Sequence, residues 1–481
     1  MEEHHDKKTL KKNTIFSLLS LFFQSGYSAI LGLVANLILT VVLPPATFGI
    51  YFITLSITPF FSYFSDIGLA ASLVQKKEVT DDDIKTTFTI QQLLVVSIIV
   101  IAYLLTDVVK AKYNFPDNAV YLYWALLGGF FLSSLKTIPS ILLERKIQFQ
   151  KIVLVQIVEN TTFYITVSVL VLAGFDLMSF AYAVIIRALV GVFLMYYLSF
   201  WLPRFGVSKV SLKNLLSFGV PFQANSLLAL VKDDLLMVYL GSVVGLTGIG
   251  YIGWAKRWAE APIRIIMDNI SRILFPVFAR IQTDKNHIAS LVDKLLYFQT
   301  MILAPIYVGM MLLMHYVVHL IPKYSKWEPA LPIFYLICIS AFLSSYSTPF
   351  INLFNAVKKV GLSFKFMIYW TVMTWVLAPI LTRMYGYLGF PLTLVFLSLT
   401  FIAIVYIAKR IIPFSFIGSI LPALISAALM GILVFFISKL GVTIAVFAAS
   451  ALLGAASYIA ILYFVFKRDV FTDIRSILKY E

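Results

Sequence analysis

Charge is what this sequence has least of. Of its 481 residues, 13% are Asp, Glu, Lys or Arg, against roughly a quarter in a soluble domain of ordinary composition. That scarcity excludes a large solvated surface, and with it a conventional soluble enzyme. Cysteine is almost missing too. Cys338 is the only one and lies in an apolar run, so neither a disulfide framework nor a cysteine metal cluster holds the fold. A Gly-rich phosphate loop, a nucleophile elbow and zinc-ligand spacing are all lacking. His315 and His319 stand one turn apart, but no third ligand lies near them in sequence, and interfacial positions are expected for both. No cofactor and no metal are expected.

What is present is hydrocarbon. Hydrophobic residues make up 60% of the chain and aromatics 15%, and the mean hydropathy is +0.92. Apolar runs bounded by charge or by Pro/Gly clusters fall at 14–43, 47–66, 84–108, 118–143, 149–173, 178–201, 214–240, 246–277, 290–320, 328–356, 361–382, 387–410, 416–437 and 442–467. Each approaches or exceeds the roughly 20 residues that span a bilayer as a helix. The runs are continuous rather than alternating, which argues for helices and against a transmembrane barrel. The expectation is an all-α integral membrane protein of about 14 transmembrane helices. The first run follows Lys7, Lys8, Lys11 and Lys12 and continues to Leu43. A cleavable signal has an apolar core of only about 7–15 residues, so this one is expected to stay as an anchor.

The net charge of +15 could suggest nucleic acid, but its placement points elsewhere. One set of loops carries Lys76, Lys77 and Lys85, then Arg145, Lys146 and Lys151, then Arg204, Lys209 and Lys213, and later clusters ending at Lys467, Arg468, Arg475 and Lys479. The opposite set holds only Lys110, Lys112, Lys323, Lys326, Arg383 and Lys439. Basic loops stay in the cytoplasm, so both termini are expected there, in a bacterial inner membrane with its lipids as surroundings. The same parity favours a crossing by the polar run 246–277 over an amphipathic helix lying on the surface.

An internal repeat is also visible. Phe23-Gln24 is matched by Phe222-Gln223, and Gly49-Ile50 by Gly248-Ile249, at one constant offset. The second copy starts after an even number of helices, so both copies point the same way. Two six-helix lobes in a parallel pseudo-two-fold arrangement are expected, 1–205 and 206–410, followed by two further helices and a basic tail in 411–481. A site at the interface of such repeats is transporter architecture.

Several charges fall well inside the runs: Arg187, Lys232, Lys256, Arg257, Arg264 and Arg272, with Lys136 nearer a helix end, and acidic Glu159, Asp233, Asp234, Glu260 and Asp268. An Arg, Lys or Asp at mid-helix costs roughly 2.5–3.5 kcal/mol to insert, so these side chains must face water or one another. Arg257, Glu260, Arg264, Asp268 and Arg272 are spaced 3, 4, 4 and 4 apart. At about 100° per residue they keep to roughly a third of the helix circumference, with Pro262 removing a backbone donor inside the stripe. Two readings stand: a self-neutralising ladder of i,i+4 pairs, or cations lining a cavity and meeting an anion. Arg187, Lys232, Arg257, Arg264 and Arg272 are the candidate diphosphate contacts, because a guanidinium holds phosphate oxygens in paired hydrogen bonds. Asp233, Asp234, Glu260, Asp268 and Glu159 are candidates for ion coupling, to H⁺ or Na⁺, or for charge pairing. One specific expectation pairs Asp234 with Arg257.

Several stretches resemble the polysaccharide-biosynthesis flippases, the O-antigen and exopolysaccharide branch of the multidrug/oligosaccharidyl-lipid/polysaccharide superfamily. They are Leu43-Pro44-Pro45-Ala46-Thr47-Phe48-Gly49-Ile50-Tyr51, Asp66-Ile67-Gly68-Leu69 with Ala71 to Gln75, Glu144-Arg145-Lys146-Ile147-Gln148-Phe149, Phe218-Gly219-Val220-Pro221 with Asp234 and Gly241, Gly248-Ile249-Gly250-Tyr251, and Phe275-Pro276-Val277-Phe278-Ala279-Arg280. The resemblance covers about the first 290 residues; beyond them only hydropathy agrees. It implies an alternating-access transporter that flips a polyprenyl-diphosphate-linked oligosaccharide to the outer leaflet for cell-surface polysaccharide, alongside polymerase or glycosyltransferase partners. The alternatives are a multidrug cation antiporter on the same fold, disfavoured by the excess of Arg and Lys, and a membrane glycosyltransferase or polysaccharide ligase, disfavoured by the short external loops.

Overall fold

The computed structural model describes residues 20, 23, 24, 26–282 and 284–467; within these, the side chains at 222, 224–226, 228, 229, 268, 269, 272, 273, 275 and 276 are outside the description. The basic N-terminal cluster at 7–12 and the tail residues Arg468, Arg475 and Lys479 also lie outside the described residues. Every described element is helical, as the continuous apolar runs require. Among the described residues, eleven helical stretches are long and apolar enough to cross a membrane, and the shorter α1 (Gly26–Val42) joins them. Five of the eleven run to 29 residues or more, beyond one crossing of roughly 20, and the longest is Val360–Lys409 with 50. There is room for fourteen crossings, but this does not fix that number.

The chain divides into two compact units, Met1–Gly250 and Tyr251–Glu481. These are packing units, whereas the expected lobes were drawn from sequence repetition, and one division does not test the other. The first unit holds α1, α2 (Pro45–Asp66), α3 (Leu69–Gln75), α4 (Asp81–Leu104), α5 (Thr106–Tyr113), α6 (Asp117–Leu135), α7 (Thr137–Arg145), α8 (Phe149–Leu172), α9 (Met178–Leu198) and most of α10 (Lys209–Ala259). Local chemistry sets the ends. Pro45 opens α2 with a φ already suited to a helix. Thr80 and Asp83 form a reciprocal capping box on α4, and Lys76 closes it at 2.6 Å from the Asp83 carboxylate. Arg145 donates to the carbonyls of Leu73 (2.7 Å), Val74 (3.1 Å) and Lys77 (3.0 Å), satisfying the orphan acceptors at the end of α3. That gives the Glu144-Arg145-Lys146 motif a structural task. Gly245, at φ 74, interrupts α10.

The second unit holds α11 (Ala261–Arg280), α12 (Lys285–Leu320), α13 (Leu331–Ser345), α14 (Ser347–Ala356), α15 (Val360–Tyr385), α16 (Gly389–Ser398), α17 (Phe401–Lys409), α18 (Phe416–Ser438) and α19 (Ile444–Phe464). Its core runs from Phe278 and Ile288 through Phe350, Phe354 and Ile404 to Phe414. Trp254 and Trp327 stack at 5.5 Å with an interplanar angle of 10°, and the Trp254 indole donates to the Tyr324 hydroxyl at 2.9 Å. Leu453, Leu433 and Ile432 instead face outward, as lipid contacts do.

Several runs expected to be uninterrupted are broken, among them 84–108 at Leu105, 328–356 at Tyr346 and 387–410 at Leu399–Thr400, and two further breaks bear on the charged residues. The run 118–143 is divided at Lys136 into α6 and α7. The run 246–277 is divided at Glu260, two residues before Pro262, whose missing N–H weakens the ladder there. The Tyr307 hydroxyl donates to the Ala259 carbonyl at 2.9 Å and steadies that end.

Candidate functional site

In the first unit, α8 turns a polar face toward α1. Gln156 accepts from Gln24 at 2.7 Å, Asn160 donates to Ser28 at 3.1 Å, and Thr161 meets the Tyr27 hydroxyl at 2.8 Å, so α1 is stitched along α8. Among these residues Glu159 is buried, at 5% exposure. Its carboxylate is ion-paired with the Lys136 ammonium at the α6/α7 break. Gly191 on α9 makes the room: a Cβ there would overlap the Glu159 carboxylate. One turn earlier on α9 stands Arg187, half-buried, with its guanidinium 5.8 Å from the Phe163 ring centroid. Phe163 itself follows Glu159 by one turn. Among the described residues Arg187 forms no ion pair, and a ring face at this distance compensates a buried cation only weakly.

Lys232 and Asp233 approach to 3.4 Å on α10. Asp234 and Arg257 are half-buried, and neither is without an interaction.

The second unit carries the stripe. Glu260 lies between two cations, 3.8 Å from Lys256 Nζ and 2.9 Å from an Arg264 guanidinium nitrogen, both at i,i+4 spacing. Part of the stripe is therefore the self-neutralising ladder. Arg264 nevertheless leaves 64% of its side chain exposed, so one carboxylate oxygen does not use up its five donors. Asp268 and Arg272 belong to α11, and their side chains are outside the described residues. Near the other end of α12 the His315 and His319 rings lie 4.1 Å apart, and His319 Nε2 is 3.7 Å from Glu328. No group of three metal-capable side chains exists among the described residues.

Lys136, expected nearer a helix end, caps α6, but its pairing with Glu159 was not anticipated. The signal for its surroundings was present: Phe131-Leu132-Ser133-Ser134-Leu135-Lys136-Thr137 is echoed by Phe342-Leu343-Ser344-Ser345-Tyr346-Ser347-Thr348. Both copies end in a broken helix.

A family model described as polysaccharide biosynthesis protein matches residues 38–332, more than half of the chain. The chain belongs to this family. It is 26% identical over 354 residues to the lipopolysaccharide biosynthesis protein WzxC of Escherichia coli, covering 71% of this chain and 69% of that one. It is 22% identical to the succinoglycan biosynthesis transport protein ExoT of Rhizobium meliloti, covering 74% and 71%. In three dimensions it is similar to the lipid II flippase MurJ in an inward closed conformation, with a TM-score of 0.76 at 13% identity, covering 94% of this chain and 99% of that one. The chain is thus a multi-pass membrane protein of the polysaccharide-biosynthesis family with a fold like that of MurJ.

Proposed function

We propose that this protein is a flippase without enzymatic chemistry. It carries a polyprenyl-diphosphate-linked oligosaccharide from the cytoplasmic to the outer leaflet of the bacterial inner membrane by alternating access, with both termini cytoplasmic. The observation that carries the proposal is Arg187: a half-buried guanidinium midway along the apolar helix α9, resting on Phe163 and forming no ion pair among the described residues. A permanent cation is costly at such a position unless an anion or water meets it. One phosphate charge at about 4 Å, with an effective dielectric near 20, returns roughly 4 kcal/mol before desolvation is subtracted. Arg264 offers a second exposed guanidinium, with Lys232, Arg257 and Arg272 as further candidates and Glu159, Asp233, Asp234, Glu260 and Asp268 as their counter-charges or as carriers of a coupling H⁺ or Na⁺. A drug cation would find the sign of these groups wrong, which sets the multidrug reading second.

The test is depletion in the native host. Lipid-linked oligosaccharide is expected to accumulate on the cytoplasmic leaflet while surface polysaccharide falls. Wild-type protein restores export, and Arg187→Ala at equal membrane abundance does not. Normal surface polysaccharide together with raised drug sensitivity after depletion would transfer the assignment to a multidrug exporter.

A further inference from the structure

Within the first unit, α2 and α10 meet along one stripe. Gly49, Ile53, Ser56, Phe60 and Tyr63 are spaced 4, 3, 4 and 3 apart and so share a face of α2. Ile53 reaches the Cα of Gly241, where an added Cβ would sit 2.7 Å from its side chain. Tyr63 and Gln223 exchange hydrogen bonds, hydroxyl to carbonyl at 3.1 Å and amide to carbonyl at 3.4 Å. Both ends of this stripe finish in backbone-to-backbone contact that only glycine permits. At one end a Cβ on Gly49 would overlap the carbonyl of Leu246, and a Cβ on Gly250 would overlap that of Pro45. These contacts join the two turns that the sequence repeat relates. At the other end Gly68, at φ +78, and Gly219 face each other so closely that a Cβ on Gly219 would lie 2.6 Å from the Gly68 carbonyl oxygen.

We propose that these glycines are two steric seals, one at each end of the α2–α10 stripe, and that each must part for access from its own side. This rests on the transport reading. A methyl group cannot enter either contact unless the backbones separate, because the colliding atoms are main-chain and not the ends of flexible side chains. Gly49→Ala and Gly250→Ala therefore hold open the end that the basic-loop count puts outside, and Gly219→Ala holds open the inner end.

The experiment uses full-length protein in native membranes with Cys338→Ser as background, since Cys338 is the only cysteine. Ser56→Cys, midway along the stripe, reports accessibility to a membrane-impermeant maleimide in right-side-out and inside-out vesicles. Gly309→Ala, with nothing within 4 Å of its added Cβ, is the control. Gly49→Ala and Gly250→Ala are expected to raise labelling from outside about fivefold and lower it from inside, with Gly219→Ala doing the reverse, as an opposed bias of one two-state equilibrium requires. Shifts in the same direction, or none beyond the control, overturn the proposal. Should an alanine variant fail to accumulate, a Tyr63→Cys/Gln223→Cys cross-link answers instead: oxidation is expected to arrest transport reversibly, and full transport with the bridge formed overturns the seal. Opposed labelling shifts with unaltered polysaccharide export would leave the seals standing and remove the flippase reading.

Discussion

The two Phe-Leu-Ser-Ser stretches make a natural comparison, because the chain builds the same device twice and charges only one copy. In the first unit Gln92 of α4 donates to Ser134 at 3.0 Å, and Ser134 donates to the carbonyl of Phe131 at 2.6 Å, just before the break at Lys136. In the second unit Gln299 of α12 donates to Ser345 at 2.8 Å, and Ser345 donates to the carbonyl of Phe342 at 2.7 Å, just before the break at Tyr346. Both glutamines are buried. The position of Lys136 is taken in the second copy by Ser347, and α15 holds no acidic residue to match Glu159. At the second break a neutral pair suffices, the hydroxyls of Thr300 and Tyr346 at 3.0 Å. The two echoed breaks thus share the Gln–Ser bond, whereas only the first carries an ion pair. The Lys136–Glu159 pair is an addition to the scaffold, placed one turn from Arg187 on the neighbouring α9.

The comparison breaks most visibly if that pair is divided. Glu159→Gln leaves the Lys136 ammonium without its counter-charge, and Lys136→Met does the same to the carboxylate. Each is expected to destabilise the protein by about 3–5 kcal/mol, because removing one partner strands a buried charge. The double variant is expected to recover most of that loss, since the second unit shows a neutral break folding. Thermal unfolding in detergent measures all three. A double variant no more stable than the singles would mean that the first break depends on its charges after all. If the pair serves transport, the double variant folds normally and still fails to complement export in a depleted host.

Next come the glutamines, where the two units should behave alike. Gln92→Leu and Gln299→Leu each remove one buried hydrogen bond, and about 0.5–1.5 kcal/mol is expected from each, because each serine keeps its bond to a backbone carbonyl. Equal losses in the same unfolding assay support a shared device. A large loss for one and none for the other would make the sequence echo a coincidence of apolar composition.

How much of this was legible in the sequence follows from range. Helical character and the membrane could be read from continuous apolar runs, because in hydrocarbon a backbone has hardly another way to satisfy its own hydrogen bonds. The i,i+4 relation of Glu260 to Arg264 could be read from spacing on one helix. Lys136 with Glu159 could not, because the partners are distant in sequence and the room for the carboxylate is made by Gly191, a residue with no side chain to announce it. The break at Lys136 also escaped, although Pro139 stands three residues beyond it much as Pro262 stands two beyond Glu260, because the apolar run continues through it without a charge on either side. The glycine contacts of α2 with α10 were present in the sequence as motif residues, but their task depends on backbone proximity that no local pattern encodes.

The smallest effect belongs to the ladder, the contrasting case to the buried pair. Arg264 keeps most of its side chain exposed and Lys256 contacts Glu260 only at 3.8 Å. Exposed i,i+4 pairs contribute about 0.3–0.5 kcal/mol, so Glu260→Gln is expected to leave the unfolding temperature nearly unchanged. Its consequence should appear in function. With Glu260 neutral, Arg264 and Lys256 lose a competing carboxylate, so an anionic lipid should be held longer and released more slowly. Binding of a polyprenyl diphosphate to purified Glu260→Gln is expected to tighten by a few-fold while export slows, a separation that follows when binding improves without helping the step that limits turnover. If unfolding shifts as far as it does for Glu159→Gln, the stripe is structural glue and its exposed guanidinium is no substrate contact.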